Sequence, residues 1–406
     1  MLKTRFENYP KGKPFSMILG DFLGKGIFNV DGDSWLFQRK MASLELASIS
    51  IRTYAFDIVT KEVTSRLLPL LSSAAKTNSA MIDLQDVFQR FSFDNICKFS
   101  FGLDPGCLDS SLPIPLFAES FDLASRLSAE RAMEPIPLLW KIKRLFNFGK
   151  ERKLKEAIKV VNVLAYEVIM LRKKVRHKDL LSRFMGCSND DKYLRDIVVS
   201  FILAGRDTMA SALTTFFWLL ATHPRVVSKI REEASQVMRA SNQEFPSYQQ
   251  IREMNYLQAA VYESLRLYPP VQFNSKFARQ DDILPDGTWV RKGTRVTYHP
   301  YAMGRMEKIW GADYMEFNPE RWLRNGTFYQ KSQFEYPVFQ AGIRVCLGKE
   351  MSLVEMKVVA LSLVHRFDIK VVSPMDAPKF LPGLTATISG GLQVVIKDRD
   401  TGSLID

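Results

Sequence analysis

Cys346 lies in the stretch FQAGIRVCLG, Phe339–Gly348, between two glycines and beside an arginine. The segment that follows, Lys349–Phe367, carries apolar residues at helical spacing, which puts the thiol near a helix N-terminus. Amide donors and the positive end of the helix dipole favour an anion there and lower a thiol pKa. The pattern predicts a residue built to hold a thiolate. A second group is AGRDT, Ala204–Thr208, inside a long apolar stretch. Glycine within a helix costs about 1 kcal/mol relative to alanine, so Gly205 calls for compensation, and a bulky flat partner pressed against the backbone would supply it. Asp207 and Thr208 add a carboxylate and a hydroxyl to an otherwise apolar wall. Taken alone, these two favour a plainer reading, with Thr208 bonded back to the Ala204 carbonyl and Asp207 paired with a nearby base.

Two further pairs have chemical spacing. Glu263 and Arg266, in ESLR, lie three apart on one helix face; alone such a pair contributes about 0.2–0.5 kcal/mol. Beside FNPERW, Phe317–Trp322, Arg321 could complete a buried carboxylate–guanidinium network. Trp35 and Arg39 in DSWLFQRK sit at i, i+4, where an indole N–H and a guanidinium on one face suit an anionic group such as a carboxylate. A core tryptophan beside a surface arginine is the commoner outcome for that spacing.

The elements that must position these residues are mostly helical. Helical periodicity dominates from about Leu36 to Leu267, and the stretch beginning at Ser247 has a cap residue at its start and is stopped by Pro269 and Pro270. Strand-like pieces follow at Thr288–His299, with a Lys292–Gly293 turn, at Phe367–Val372 and at Leu392–Lys397. The reading is mainly α with a minor sheet drawn from the C-terminal third. By length, 406 residues allow one large core or two domains. No repeat or flexible linker divides them, so one domain over 1–406 is expected.

An apolar share of 46% with 25% charged residues is an ordinary globular balance. Four cysteines without a CxxC pair argue against a disulfide framework or a zinc ribbon, and fit a reducing, cytosol-facing setting. The net charge of +12 gathers in Trp140–Lys159, where basic and apolar residues alternate. A solvated helix face and an anionic membrane surface or acidic partner are both open readings of it. No nucleic-acid module is present in the sequence. The N-terminus lacks the apolar run of a signal peptide or anchor. Val198–Leu220 is apolar enough for a span, but Arg206 and Asp207 would each cost about 2.5–3.5 kcal/mol at a bilayer centre, so it reads as a buried helix. The Asn325 sequon carries little weight without a secretory signal.

Together and in this order, these motifs resemble the cytochrome P-450 family of haem-thiolate monooxygenases. FQAGIRVCLG matches its F-x-x-G-x-R-x-C-x-G pattern at every fixed position; AGRDT matches the oxygen-activating helix, ESLR the E-x-x-R helix, PERW its partner, and DSWLFQR the W-x-x-x-R helix. The resemblance implies haem b with Cys346 as axial thiolate, whose electron donation favours O–O cleavage. Phe339 would pack by the ligand loop, and Gly342 and Gly348 would let the backbone approach the porphyrin. Trp35, Arg39 and Arg344 would bind the propionates. Ala204 and Gly205 would leave room for O2, and Asp207 and Thr208 would help deliver protons to it. Relatives often carry a second hydroxyl residue where this chain has Met209, a change not expected to abolish oxygen activation. Glu263, Arg266 and Arg321 would be structural. Electrons would come from NADPH through a separate cytochrome P-450 reductase, since no flavin or dinucleotide fingerprint is present.

A narrower likeness to the plant fatty-acid ω-hydroxylase branch, families 86 and 94 with 94 closer, rests on GIFNVDGDSWLFQRKMAS, FSFDNICKFSFG, PPVQFNSKFA and LPDGTWVRKGTRVTYHPYAMGRMEKIWG. It implies a fatty-acyl substrate oxidised at or near its methyl end, or the fatty-acid-derived hormone conjugate jasmonoyl-isoleucine. It also implies the cytosolic face of the endoplasmic reticulum membrane. Apolar walls would come from Gly24–Val30, Phe117–Leu127, the helix before Gly205, Val271–Phe273 and Leu384–Ile388. Microsomal members begin with an anchor of about 20 apolar residues, a hinge and the first strands of the small sheet. This sequence starts after them, so unmade sheet edges are expected, and an inactive truncated haem-protein fragment is an alternative. A haem-thiolate isomerase or dehydratase acting on hydroperoxides is a further one, disfavoured by the intact AGRDT.

Overall fold

The computed structural model describes the chain except residues 47–48, 78–80, 110–115, 175–178, 241–244, 373–377, 382 and 400–406. Its organising element is the stretch expected to be a buried helix. Asp191–Ile202 and Thr208–Thr222 are α-helical and are joined by one wider, π-type turn, Leu203–Asp207. Helices apolar on every side belong in cores. By length and composition this one could cross a membrane, yet 83% of its apolar window is buried inside the fold. Leu194–Leu203 joins an apolar cluster with helices Gly12–Leu23, Leu116–Met133 and Lys150–Lys174. Met209–Leu220 joins a second one with Leu84–Phe101, Asn255–Leu267 and Lys349–Arg366. The helix therefore threads both clusters, and its wide turn falls at their junction.

The stretch opened by Ser247 is not one helix. Ser247 and Gln250 form a reciprocal capping box, but Met254 is extended and divides Tyr248–Glu253 from Asn255–Leu267. Two side chains from elsewhere make the break. Lys357 Nζ donates to the carbonyls of Ile251, Arg252 and Met254 at 2.8, 2.9 and 3.2 Å. Glu233 accepts the amides of Tyr256 and Leu257 at 2.9 and 2.8 Å. One cation thus closes the first helix and one carboxylate opens the second, as their dipoles favour. The second helix ends at Leu267, ahead of the prolines.

The sheets are small. Phe367–Val371 and Gln393–Asp398 are strands as expected and pair antiparallel, and Met81–Asp83, too short to show a period, adds to the outer side of the latter. The Thr288–His299 segment turns at Lys292–Gly293 as expected, where the Thr294 amide donates to the Arg291 carbonyl at 3.0 Å, but the strands on either side do not pair with each other. Trp289–Val290 pairs with Asp282–Ile283, and Arg295–Tyr298 with Asn274–Phe277. The reversal between paired strands is at Asp286–Gly287, where the Leu284 amide meets the Thr288 carbonyl at 2.9 Å; Asp-Gly is the stronger hairpin signal. The strand edge expected to be unmade is covered in part. The amides of Phe277 and Arg279 reach the Pro10 and Asn8 carbonyls at 3.0 and 2.8 Å. Asn325 and Gly326, both at positive φ, form the two-residue turn between Leu323–Arg324 and Thr327–Phe328.

The ESLR expectation holds in full. Glu263 and Arg266 are both completely buried and paired at 2.7 Å. The same carboxylate takes Arg321 Nε at 2.7 Å, Trp322 Nε1 at 2.9 Å and the Asn318 amide at 3.0 Å. Arg266 spends its remaining donors on the carbonyls of Gly304, Tyr314 and Glu316. Removing one partner of a buried pair leaves a charge without compensation, a loss of about 3–5 kcal/mol. Glu263→Ala should lower the unfolding free energy by roughly that amount in urea titration; a loss below about 1 kcal/mol, the scale of an exposed pair, would show that the network is dispensable to the fold.

Candidate active site

Cys346 is placed by its own loop. Pro337–Phe339 and Gly342–Arg344 form tight turns, and the Cys346 amide returns to the Phe339 carbonyl at 2.8 Å. Gly348 caps the helix Lys349–Arg366, and the amides of Gly348 and Lys349 both point at the sulfur. The thiol is exposed by area. Burial by the surrounding protein nevertheless pushes its pKa up and prevails over the two amides, Arg39 and Lys349, which pull it down. The expected lowering of the thiol pKa by the helix end is therefore real but outweighed. A coordinated metal cation deprotonates a thiol outright, so this sulfur suits a metal ligand better than a free thiolate. Phe339 lies partly buried at the loop's start, 6.5 Å from the ring of Tyr262.

Beside the thiol is a surplus of buried cations. Arg344 donates to Asp31 Oδ1 at 2.7 Å and to the Val30 carbonyl at 3.0 Å, and it stacks over Trp35 at 4.3 Å. Burial holds Arg344 down to about 10, with Arg39 adding to the effect. Burial also depresses Arg39, whose charge the Cys346 thiolate favours. Two lysines complete the group. Burial lowers Lys11 and brings Lys276 down to about 7, and Arg344 depresses both. Asp31 is the carboxylate that raises Lys11, Lys276 and Arg344. The buried Arg344 Nε has no hydrogen-bond partner among the described residues. Four cations against one carboxylate, with a donor left over, fit the two propionates of a haem. Trp35, Arg39 and Arg344 thus come together with Cys346 as the motifs suggest. Lys11 and Lys276 were missed, because each lysine stands alone in sequence and only the fold buries them.

The glycines divide. At Gly342, φ is +67°, and a Cβ would strike the Leu2 carbonyl at 1.9 Å. At Gly205 a Cβ would meet the Ile96 side chain at 2.4 Å. In both cases the tight neighbour is protein, so the compensation for Gly205 includes a close approach of helix Leu84–Phe101.

On the central helix, Thr208 Oγ1 donates to the Ala204 carbonyl at 2.6 Å, and Asp207 pairs with Arg206 at 2.8 Å, which is the plainer reading of those residues. The geometry adds a third member. Arg206, fully buried, also holds Asp122 at 2.5 Å, and Asp122 reaches solvent with 44% of its side chain exposed. Burial lifts Asp207 to about 7; Arg206 pulls it down and Asp122 pushes it up. Ala204, Gly205 and Thr208 are only half-buried in this otherwise closed helix. Leu347, next to Cys346, packs against the apolar cluster that contains Leu203.

Asp122→Asn removes a negative charge near Asp207 and leaves Arg206 to Asp207 alone. Both changes favour the carboxylate, so Asp207 should titrate below its value near 7. Infrared difference spectra of the carboxyl band, referenced to Asp207→Asn, would read the shift; a midpoint unchanged or higher would show that Arg206 is not shared between the two.

Comparison with known proteins extends along the chain. The Cytochrome P-450 family model matches residues 1–394. Cytochrome P-450 94C1 of Arabidopsis thaliana is 57% identical over 408 residues, covering 98% of this chain and 82% of its own length. Cytochrome P-450 94A1 of Vicia sativa is 45% identical over 416 residues, 99% and 80% of the two chains. Cytochrome P-450 86B1 of Arabidopsis thaliana is 43% identical over 428 residues, 100% and 76%. The family brings a haem whose iron is held by a cysteine thiolate, and the sole cysteine in the matching loop is Cys346. Similarity of this depth and extent, over a site that suits such a group, means that the chain belongs to the cytochrome P-450 family and is a monooxygenase of its 94 and 86 branch.

Proposed function

We propose that this monooxygenase inserts one oxygen atom from O2 into a C–H bond at or near the ω end of a fatty acid, with electrons drawn from NADPH through a separate reductase. The observation that carries this reading is an apolar cluster assembled from distant segments. Phe117, Phe121, Ala124 and Leu127 share it with Phe201 and Leu203 of the central helix, and Ile27, Leu384 and Leu347, the neighbour of Cys346, pack against it. Four of the five expected wall segments contribute to it; Phe273 packs instead against His299 at 5.7 Å. Walls of this composition suit a methylene chain and exclude water.

The haem, when bound, supplies the activation of oxygen. Cys346 would hold its iron. Trp35, Arg39 and Arg344, with Lys11 and Lys276, would take the carboxylates and fix the ring's orientation. Phe339, Gly342 and Gly348 shape the loop around the sulfur. Ala204 and Gly205, half-buried on the wide turn of the central helix, would stand where O2 is bound. Asp207, titrating near neutrality, can both accept and release a proton at working pH. Thr208 commits its hydrogen to the Ala204 carbonyl, so its oxygen is left to act as an acceptor for a proton-bearing partner. With a plant reductase and medium- or long-chain fatty acids, each buried methylene of which is worth about 0.8 kcal/mol, mass spectrometry should find terminal or near-terminal alcohols. Turnover of jasmonoyl-isoleucine with none of fatty acids would replace the substrate and keep the reaction; turnover of neither would overturn the proposal.

The same reading places the protein on the cytosolic face of the endoplasmic reticulum membrane. Residues 141–150 are all exposed while Trp140 is buried beneath them, and Leu145, Phe146 and Phe148 expose 79%, 74% and 71% of their surface. Lys141, Lys143, Arg144 and Lys150 alternate with them. Apolar residues open to solvent among cations suit an anionic lipid interface. Phe146→Glu with Phe148→Glu should weaken binding to phosphatidylserine-containing vesicles at least tenfold in co-sedimentation. Undiminished binding would assign this segment to a solvated face.

A further inference from the structure

Gln340 holds φ +64° and ψ 178°, a backbone region that is essentially glycine's alone. The other non-glycine residues with positive φ among those described are Asn147 and Asn325, and asparagine tolerates such angles through local hydrogen bonds. Glutamine has no such allowance, so the neighbourhood must enforce this geometry. Strain of this kind persists only where surrounding contacts over-determine it, and it gathers at functional sites.

Those contacts are on both sides of the residue. The Gln340 amide donates to the Pro337 carbonyl at 3.0 Å. Its side-chain Oε1 accepts from Asn274 Nδ2 at 3.3 Å and from the Tyr298 hydroxyl. Asn274 and Tyr298 are register partners on the two strands of one small sheet, so a single oxygen is gripped by both strands. Asn274 Oδ1 in turn accepts from Lys11 Nζ at 2.8 Å. The Lys11 amide donates to Asp31 Oδ1 at 2.9 Å, and the same oxygen takes Arg344 at 2.7 Å. The path leaves the ligand loop at Gln340 and returns to it at Arg344, two residues before Cys346.

We propose that Gln340 is a positioning residue for Cys346, closing a hydrogen-bonded ring through Asn274, Lys11, Asp31 and Arg344 that clamps both halves of the ligand loop to the cation cluster. Phe339, whose carbonyl receives the Cys346 amide, lies next to the clamped residue, so the clamp sets where the sulfur sits. The ring also contains two of the buried cations, which joins the seating of the haem carboxylates to the seating of the iron ligand. The inference rests on Cys346 being that ligand.

The test uses the full chain loaded with haem, and compares wild type with Gln340→Ala, Gln340→Gly and Asn274→Ala. Gln340→Ala keeps the unfavourable backbone and loses the grip; Gln340→Gly loses both; Asn274→Ala breaks the ring and leaves the loop sequence untouched. Two quantities are read: the rate of haem transfer to excess apomyoglobin, and the share of the red-shifted thiolate Soret band in the reduced, carbon-monoxide-bound spectrum. Gln340→Ala and Asn274→Ala should each release haem at least fivefold faster and lose part of the thiolate band, with Gln340→Gly closer to wild type. Should Gln340→Ala fail to fold, Asn274→Ala and Gln340→Gly still decide the matter. Wild-type release and an undiminished band in Asn274→Ala would overturn the clamp. A Cys346→Ser variant that kept the thiolate band would instead overturn the assignment of the ligand.

Discussion

A carboxylate with no access to water decides how the thiolate side of this molecule is built. Glu263 cannot stay ionised in the core without donors, and the sequence supplies them from two places: Arg266 one turn on, and Arg321, Trp322 and the Asn318 amide from a segment more than fifty residues away. Satisfying the charge therefore draws that segment onto the helix Asn255–Leu267. Trp322 then stacks edge-on with Tyr336 at 4.9 Å, and Tyr336 lies parallel to Tyr262 at 5.3 Å with its hydroxyl on the Tyr262 carbonyl. Three residues later the ligand loop begins. The position of Cys346 is thus a consequence of where one buried charge finds its partners, with aromatic packing carrying the constraint along the chain.

The electrostatics on the two sides of the site oppose one another. Around Cys346 the protein gathers positive charge it does not neutralise, and it depresses Arg39, Arg344, Lys11 and Lys276 by burying them. Such an arrangement is unfavourable by itself, since like charges repel most where the dielectric is low. A dianion in their midst turns that repulsion into attraction. On the central helix the imbalance is reversed: two carboxylates share one guanidinium, and the buried one is driven toward its neutral form. One side carries fixed positive charge, and on the other a single carboxylate lies close to its own neutral form.

How much of this was legible in the sequence follows from the range of each interaction. Cys346, Trp35 with Arg39, Ala204–Thr208 and Glu263 with Arg266 stand in short motifs whose members are neighbours on one loop or helix, so spacing exposed them. The cap at Ser247, the stop before Pro269 and the late strands Phe367–Val371 and Gln393–Asp398 are likewise local signals. The division of the helix at Met254 was hidden because Lys357 and Glu233, which make it, are brought there by tertiary packing. Lys11 and Lys276 were hidden for the same reason. The turns at Asp286–Gly287 and Lys292–Gly293 are both local signals, each with its glycine at positive φ, but which of them joins paired strands depends on tertiary pairing. The thiol pKa was misjudged because a helix terminus is visible in sequence and desolvation is not.

Arg206 shows how the two apolar clusters and the proton chemistry are coupled. It projects from the wide turn of the central helix, packs 5.8 Å from the ring of Phe121, and binds Asp122 on the same helix, Leu116–Met133. That helix also supplies Phe117, Phe121, Ala124 and Leu127 to the apolar cluster against which Leu347, the neighbour of Cys346, packs. Asp122 and these apolar side chains thus belong to one helix, while Asp207 lies on the central helix one residue from Arg206. Any displacement of Asp122 changes how the guanidinium is divided between the two carboxylates. Moving Asp122 away weakens both its repulsion of Asp207 and its hold on Arg206, and each change favours ionised Asp207. The placing of the helix Leu116–Met133 and the protonation of Asp207 are therefore bound together by one buried arginine, with no need for the distant cation cluster to take part.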